Sequence, residues 1–212
     1  MTDGGYDAGY RACPSFWGSQ PSSLVLSLES QIPSFEGLRI LDVGCGEGKN
    51  ALYLARKGAL VNAYDVSDIA IDHALAAREA LQVKDVNFYV GDAMAENFPS
   101  ESFDVVIAYG LLHCLADEQS IREVSKHLIR MTRKGGYLVV CAFNSRLQDL
   151  AAAHPGFYPT TLRHQVYVDI FKNLQILEAH DRDLHETHPH NGIAHTHSMT
   201  RILGMRQTIE PK

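Results

Sequence analysis

The stretch Arg39-Ile-Leu-Asp-Val-Gly-Cys-Gly-Glu-Gly-Lys-Asn50 decides the reading of this chain. An apolar run ends in Asp42, three glycines come next at alternate positions (Gly44, Gly46, Gly48), and a helical pattern opens at Lys49. Glycine lacks Cβ, so such a turn can adopt otherwise forbidden angles and bring backbone close to a ligand, while the helix start offers unsatisfied N–H groups. Tight turns after strands also use glycine, so the triplet needs support from elsewhere in the chain.

The strand and helix pattern around it gives that support. Short apolar runs at Leu38 to Val43, Leu60 to Tyr64, Val86 to Val90, Phe103 to Ala108 and Tyr137 to Ala142 alternate with helical patterns, which predicts a parallel sheet with crossover helices. One helix is expected from Lys49 to Lys57 with Gly58 as its stop, and another is capped by Ser67. A third carries Ile121, Val124, Leu128 and Met131 on one face and should end at Lys134-Gly135-Gly136. Leu162, Val166 and Ile170 mark a fourth. The last part reads as two extended arms, Leu174 to His190 and Ile193 to Arg206, around Asn191-Gly192, a strong hairpin signal.

Two further carboxylates sharpen the glycine turn. Asp65 ends the second strand 21 residues after Gly44, where an open α/β sheet presents an acid to a ribose diol; a helix-capping or turn role is the alternative. Asp92 comes after the third strand in Val90-Gly-Asp-Ala93, again at a carboxyl end beside the ligand crevice. The spacing GxGxG differs from the GxGxxG of dinucleotide enzymes, which argues against a nicotinamide-dependent dehydrogenase.

With these motifs in place (LDVGCGEG, YDVS, VGDA and FDVVIAYGLLH), residues 38 to 142 resemble the class I S-adenosylmethionine-dependent methyltransferases. The resemblance implies a Rossmann-like three-layer α/β sandwich, with a seven-stranded, mostly parallel sheet in the order 3-2-1-4-5-7-6 and an antiparallel carboxyl-terminal hairpin. It implies that Gly44, Gly46 and Gly48 hold the methionine part of the donor, Asp65 its ribose hydroxyls and Asp92 its adenine amine. Asp42, Val66, Ala93 and Tyr109 are expected as wall residues. FWGSQPSSLV near the start and the ending LHETH…MTRILGMR narrow the resemblance to the tellurite-resistance methyltransferases and, more loosely, to a phosphonate O-methyltransferase. That group uses a His-Arg pair in its final segment, whereas His185 here is followed by Glu186.

The acceptor side is less defined. His113 and His185 are candidate catalytic residues, Asn144, Arg146, Arg163 and His188 candidate acceptor contacts, and Tyr10, Phe16 and Trp17 could close over the donor. If Asn191-Gly192 is a two-residue turn, His190 pairs with Ile193, His188 with His195 and Glu186 with His197, all on one face. His188, His195 and His197 then have the ligand types for a divalent metal, and equally for an anion.

Composition sets the bounds. At 212 residues, 45% apolar and 21% charged, the chain suits one globular domain: residues 1–18 a lid, 38–142 the donor-binding core and 143–212 the acceptor-side helix and hairpin. The balance of 19 basic against 25 acidic residues, −6, disfavours nucleic acid or an acidic membrane surface as partners, so a small-molecule acceptor is expected. With no apolar leader or span, and four scattered cysteines reading as reduced thiols, the expected setting is the cytoplasm and the expected state a monomer or homodimer.

Overall fold

A computed structural model describes residues 6–188 and 191–208. Seven strands form one sheet in the order β3-β2-β1-β4-β5-β7-β6. The strands are β1 (Arg39–Val43), β2 (Leu60–Asp65), β3 (Val86–Val90), β4 (Phe103–Tyr109), β5 (Thr132–Gln148), β6 (Leu174–Thr187) and β7 (Ala194–Arg206). The first five pair in parallel, and β7 runs antiparallel to both β5 and β6. Helices α1 (Asp7–Ala12), α2 (Ser23–Leu26), α3 (Lys49–Arg56), α4 (Asp68–Ala80), α5 (Glu118–Met131) and α6 (His164–Ile170) complete the fold.

Alternation along β4 divides the core into two. Val106 and Ala108 join Ile121, Val124 and Leu128 of α5 on one face, while Val105 and Ile107 join Leu24, Leu54 and Ile71 from α2, α3 and α4 on the other. Helix α5 is fixed at its start by Asp117, whose side chain accepts from Ser120 N–H. Each of its large apolar side chains, once buried, contributes about 1.5–3 kcal/mol. Ser67 caps α4 by accepting from Ala70 N–H, as its position in the sequence predicts.

Three boundaries differ from the sequence reading. Helix α5 ends at Met131 and β5 begins at once, with Thr132 opposite Phe103; Lys134-Gly135-Gly136 lies inside the strand. The register shifts there, and a Cβ at Gly136 would stand 2.7 Å from the Asp104 carbonyl oxygen, so the glycine pair serves a bulge and not a helix stop. Leu162 precedes α6, because its backbone pairs with Asn144 and its carbonyl accepts from Ser145 N–H at 3.0 Å. In the hairpin, Thr187 faces Ala194 and Glu186 faces His195, so the connection spans 188–193 and is longer than two residues. The pairing proposed for His190 lies outside the described residues. All four cysteines are free thiols, Cys141 buried and the others half-buried. No described helix is long and apolar enough to cross a membrane.

Candidate active site

A cavity of about 580 Å³ opens at the carboxyl ends of β1, β2 and β4, under the segment that contains α1. Its floor is the glycine turn. Gly44, Gly46 and Gly48 all have positive φ (67°, 53° and 79°), and a Cβ on Gly48 would fall 2.6 Å from the Phe88 ring, so no other residue fits there. Asp65 closes the turn: its two oxygens accept from Gly46 N–H at 2.8 Å and from Ser67 N–H at 3.0 Å. A carboxylate has about four lone-pair positions, so two remain for a diol. Burial raises the Asp65 carboxyl above its ordinary range, and the backbone donors counter it.

Of the residues singled out from the sequence, Tyr10, Trp17, Gly44, Gly46, Asp65, Val66, Tyr109, His113 and His188 line this cavity. Asp42 and Gly48 lie behind the wall. Asp42 is buried with Oδ2 lacking a hydrogen-bond partner, and burial, with the nearby Asp65 charge, pushes its carboxyl up to about 7. Asp92 and Ala93 also stand outside the lining, and Asp92 Oδ1 accepts from Met94 N–H at 2.8 Å.

Four acceptor-side expectations change. Arg146 reaches away from the cavity to Asp181 (2.9 Å) and Asp183 (2.7 Å), so its charge is already matched. Asn144 is buried and spends its amide on Asp181 and Thr200 while its oxygen accepts from Arg146 N–H. Arg163 is exposed at the start of α6. His185 points to the other face of the hairpin from Glu186, bonded to Thr196 at 2.8 Å in an open depression, because neighbours along a strand face opposite ways.

His113 is enclosed, stacked on Phe143 at 3.9 Å. Its Nδ1 accepts from Phe143 N–H at 3.2 Å, so the ring proton sits on Nε2, directed at the Tyr6 hydroxyl 3.1 Å away. Burial, with His197 nearby, lowers its pKa to about 3. The ring is therefore neutral and has no free basic nitrogen; it is a wall of the cavity and not a placed base.

The segment before Ser19 covers the opening. Trp17 donates from Nε1 to the Tyr10 hydroxyl (3.2 Å), and its carbonyl accepts from Lys49 Nζ (3.0 Å). Tyr6 packs edge-on against Trp17, and Phe16 stacks on His188 at 4.5 Å. The sequence reading missed Tyr6, Lys49 and Arg201 as lining residues. Lys49 was legible as the first residue of the helix after the glycines; Arg201 was not, since only the sheet order places β7 next to β5.

Comparison with known proteins fits this geometry. Residues 40–136 match the family model described as a methyltransferase domain. A structure solved in work on the conversion of a disulfide bond into a thioacetal group during echinomycin biosynthesis superposes with a TM-score of 0.74 and 25% identity, covering 97% of this chain and 92% of that one. The chain carries a class I S-adenosylmethionine-dependent methyltransferase domain. TehB from Haemophilus influenzae shares the fold of this methyltransferase domain (TM-score 0.71, 20% identity, 88% of this chain and 62% of that one). Ubiquinone biosynthesis O-methyltransferase of Sinorhizobium medicae is 36% identical over 120 residues, 56% of this chain and 46% of that protein. The chain spans about half the length of the curated relatives it matches.

Proposed function

We propose that this methyltransferase domain transfers the methyl group of S-adenosylmethionine to an oxygen of a small anionic acceptor, of the carboxylate or phosphonate type. The observation that carries this is the composition of the cavity. The donor-side groups, Asp65 and the glycine turn, share one space with two cationic side chains, Lys49 and Arg201, and with the carboxylates of Glu47, which bonds His73, and Glu186. Arg201 Nε is buried with no hydrogen-bond partner among the described residues. His113 offers no basic nitrogen, and an oxyanion needs none, since it arrives with its lone pair free.

Transfer is an in-line displacement: the acceptor oxygen forms a bond to the methyl carbon as the carbon–sulfur bond breaks onto sulfur. The products are the neutral thioether S-adenosylhomocysteine and a methyl ester, and no proton moves. The protein's work is alignment and exclusion of water, which can supply much of the rate. The covering segment of Tyr6, Tyr10, Phe16 and Trp17 supports both tasks.

Methylation of a thiol or other chalcogen is the second reading, favoured by the likeness over nearly the whole chain to a protein solved in work on disulfide-to-thioacetal conversion. Incubating purified protein with S-adenosylmethionine and separate carboxylates, phosphonates, thiols and selenite, and measuring S-adenosylhomocysteine release, separates the two. Turnover confined to carboxylates or phosphonates is expected; turnover confined to thiols or selenite gives the second reading, and none with any acceptor refutes both.

A further inference from the structure

Beside the cavity, four imidazoles and one carboxylate form two overlapping trios that share His195: His154, His188 and His195, and Glu186, His195 and His197. His188 sits at the end of β6, Glu186 within it, and His195 and His197 on β7; His154 comes from the turn after β5. His154 Nε2 lies 3.1 Å from His188 Nε2 and 3.3 Å from His195 Nε2. Glu186 Oε1 lies 3.0 Å from His197 Nε2 and 3.5 Å from the Nε2 atoms of both His195 and His188. His188, His195 and His197 are buried.

Hydrogen bonds account for only part of this packing: His154 Nε2 is within bonding distance of both His188 and His195, and one ring nitrogen with at most one proton cannot donate to both. Glu186 Oε1 and His197 Nε2 stand 3.0 Å apart, yet neither has a hydrogen-bond partner among the described residues. Around the rings, the outer nitrogens fix the tautomers. His195 Nδ1 meets the Ile193 carbonyl at 2.9 Å and His197 Nδ1 meets the Gln148 side-chain oxygen at 3.2 Å; each oxygen can only accept, so each Nδ1 carries the proton. In the neutral form of each ring, the inward Nε2 carries the lone pair. Lone pairs facing one another at such distances repel unless something positive lies between them. Outer N–H groups tied to carbonyl oxygens, with inner nitrogens bare, are the arrangement that orients histidine ligands on a metal.

The distances fit as well. Imidazole binds zinc at about 2.0–2.1 Å, and tetrahedral geometry then puts ligand atoms about 3.3 Å apart. The five pairs given above are 3.0 to 3.5 Å apart, and the ligand atoms of Glu186, His195 and His197 all lie within 4.8 Å of one another. Imidazole nitrogens with one carboxylate suit zinc, iron, cobalt, nickel or copper rather than magnesium or calcium.

We propose that Glu186, His195 and His197, with His154 and His188 beside them, form a binding site for a divalent first-row transition-metal ion at the acceptor end of the methyl-transfer cavity, three protein ligands leaving a fourth tetrahedral position open. Glu186 and His188 also line that cavity. An ion held there with one carboxylate keeps a positive charge, and an anionic acceptor oxygen coordinated to it is fixed in place for attack on the methyl carbon. This acceptor role rests on the methyl-transfer reading; metal binding itself does not.

The test is zinc content of untagged protein, followed by chelator treatment, dialysis and titration of wild-type protein with zinc and with cobalt(II). One equivalent per chain is expected, with the intense visible absorption of low-coordinate cobalt and a raised melting temperature. His195→Ala and His197→Ala should each weaken zinc binding by at least about tenfold. His180→Ala, a half-exposed histidine that contacts Glu178 outside the cluster, should leave it unchanged. Failure of wild-type protein to retain zinc or develop the cobalt absorption overturns the site, without reliance on any variant folding. Equal zinc affinity in wild type and both cluster variants overturns it too. Calorimetry with S-adenosylhomocysteine on the same samples tests the donor reading separately: metal bound without donor affinity would refute methyl transfer and leave the metal site standing.

Discussion

Replacing Asp65 tests the donor site most directly. In the structure this carboxylate accepts from Gly46 N–H and Ser67 N–H, which leaves about two lone-pair positions for the donor's ribose hydroxyls. A hydrogen bond to a charged group is worth roughly 1.5–3 kcal/mol. Losing both ribose bonds in Asp65→Ala therefore costs about 3–6 kcal/mol of donor binding, more than a hundredfold in affinity. The two backbone bonds are made with or without donor, so their loss enters stability rather than affinity. It is offset in part because the variant no longer buries a charge. Asp65→Asn keeps one acceptor oxygen and turns an N–H₂ toward one former donor, so its loss of affinity should be about ten- to a hundredfold. Titration calorimetry with S-adenosylhomocysteine measures both variants, after circular dichroism has shown them folded. Affinity equal to wild type in Asp65→Ala would refute the ribose assignment, and equal losses in Ala and Asn would refute the division between the two oxygens.

Two other perturbations probe the site. Asp42 has a folded-state pKa of about 7, above its unfolded value near 3.8, so the native state binds more protons in that interval and stability falls as pH rises through it. Wild-type protein should therefore lose on the order of 4 kcal/mol between pH 4 and pH 8 from this group, whereas Asp42→Asn should lack that component in urea unfolding; parallel pH curves for the two proteins would refute it. Trp17 is the chain's single tryptophan and lies on the cavity wall, so S-adenosylhomocysteine should change its emission and slow proteolysis around α1. Unchanged emission and cutting would show that this segment is no lid.

The sequence by itself determined most of the sheet, because parallel strands buried on both faces are written as continuous apolar runs, and crossover helices carry caps and stripes of their own. The strand runs from Leu38 to Phe103 and the Ser67 cap needed no tertiary information. The glycine turn and Asp65 were similarly legible, because a turn and an acid at a strand end are local features, whereas Asp42, Asp92 and Ala93 fall outside the cavity lining. The parity of the hairpin was legible too. Glu186 lies opposite His195 where a two-residue turn would have put His197, a shift that moves the pairing by an even count and so keeps Glu186, His195 and His197 on one face.

Only the tertiary structure decided the rest. Lys134-Gly135-Gly136 reads locally as a helix stop, but pairing with Asp104's strand takes the segment into β5. Arg146 reads as an anion clamp until Asp181 and Asp183 are seen across the sheet. Neither His154 nor Arg201 carries a local pattern that marks it. His154 reaches the cluster because the turn after β5 packs on the hairpin, with Asn191 Nδ2 donating to the Ala153 carbonyl at 2.9 Å. Arg201 reaches the cavity because β7 inserts between β5 and β6. The glycine turn and Asp65 sit on short segments whose conformation is local, whereas the histidine cluster and Arg201 are assembled from strands and turns distant in sequence, so long-range packing chooses which side chains meet.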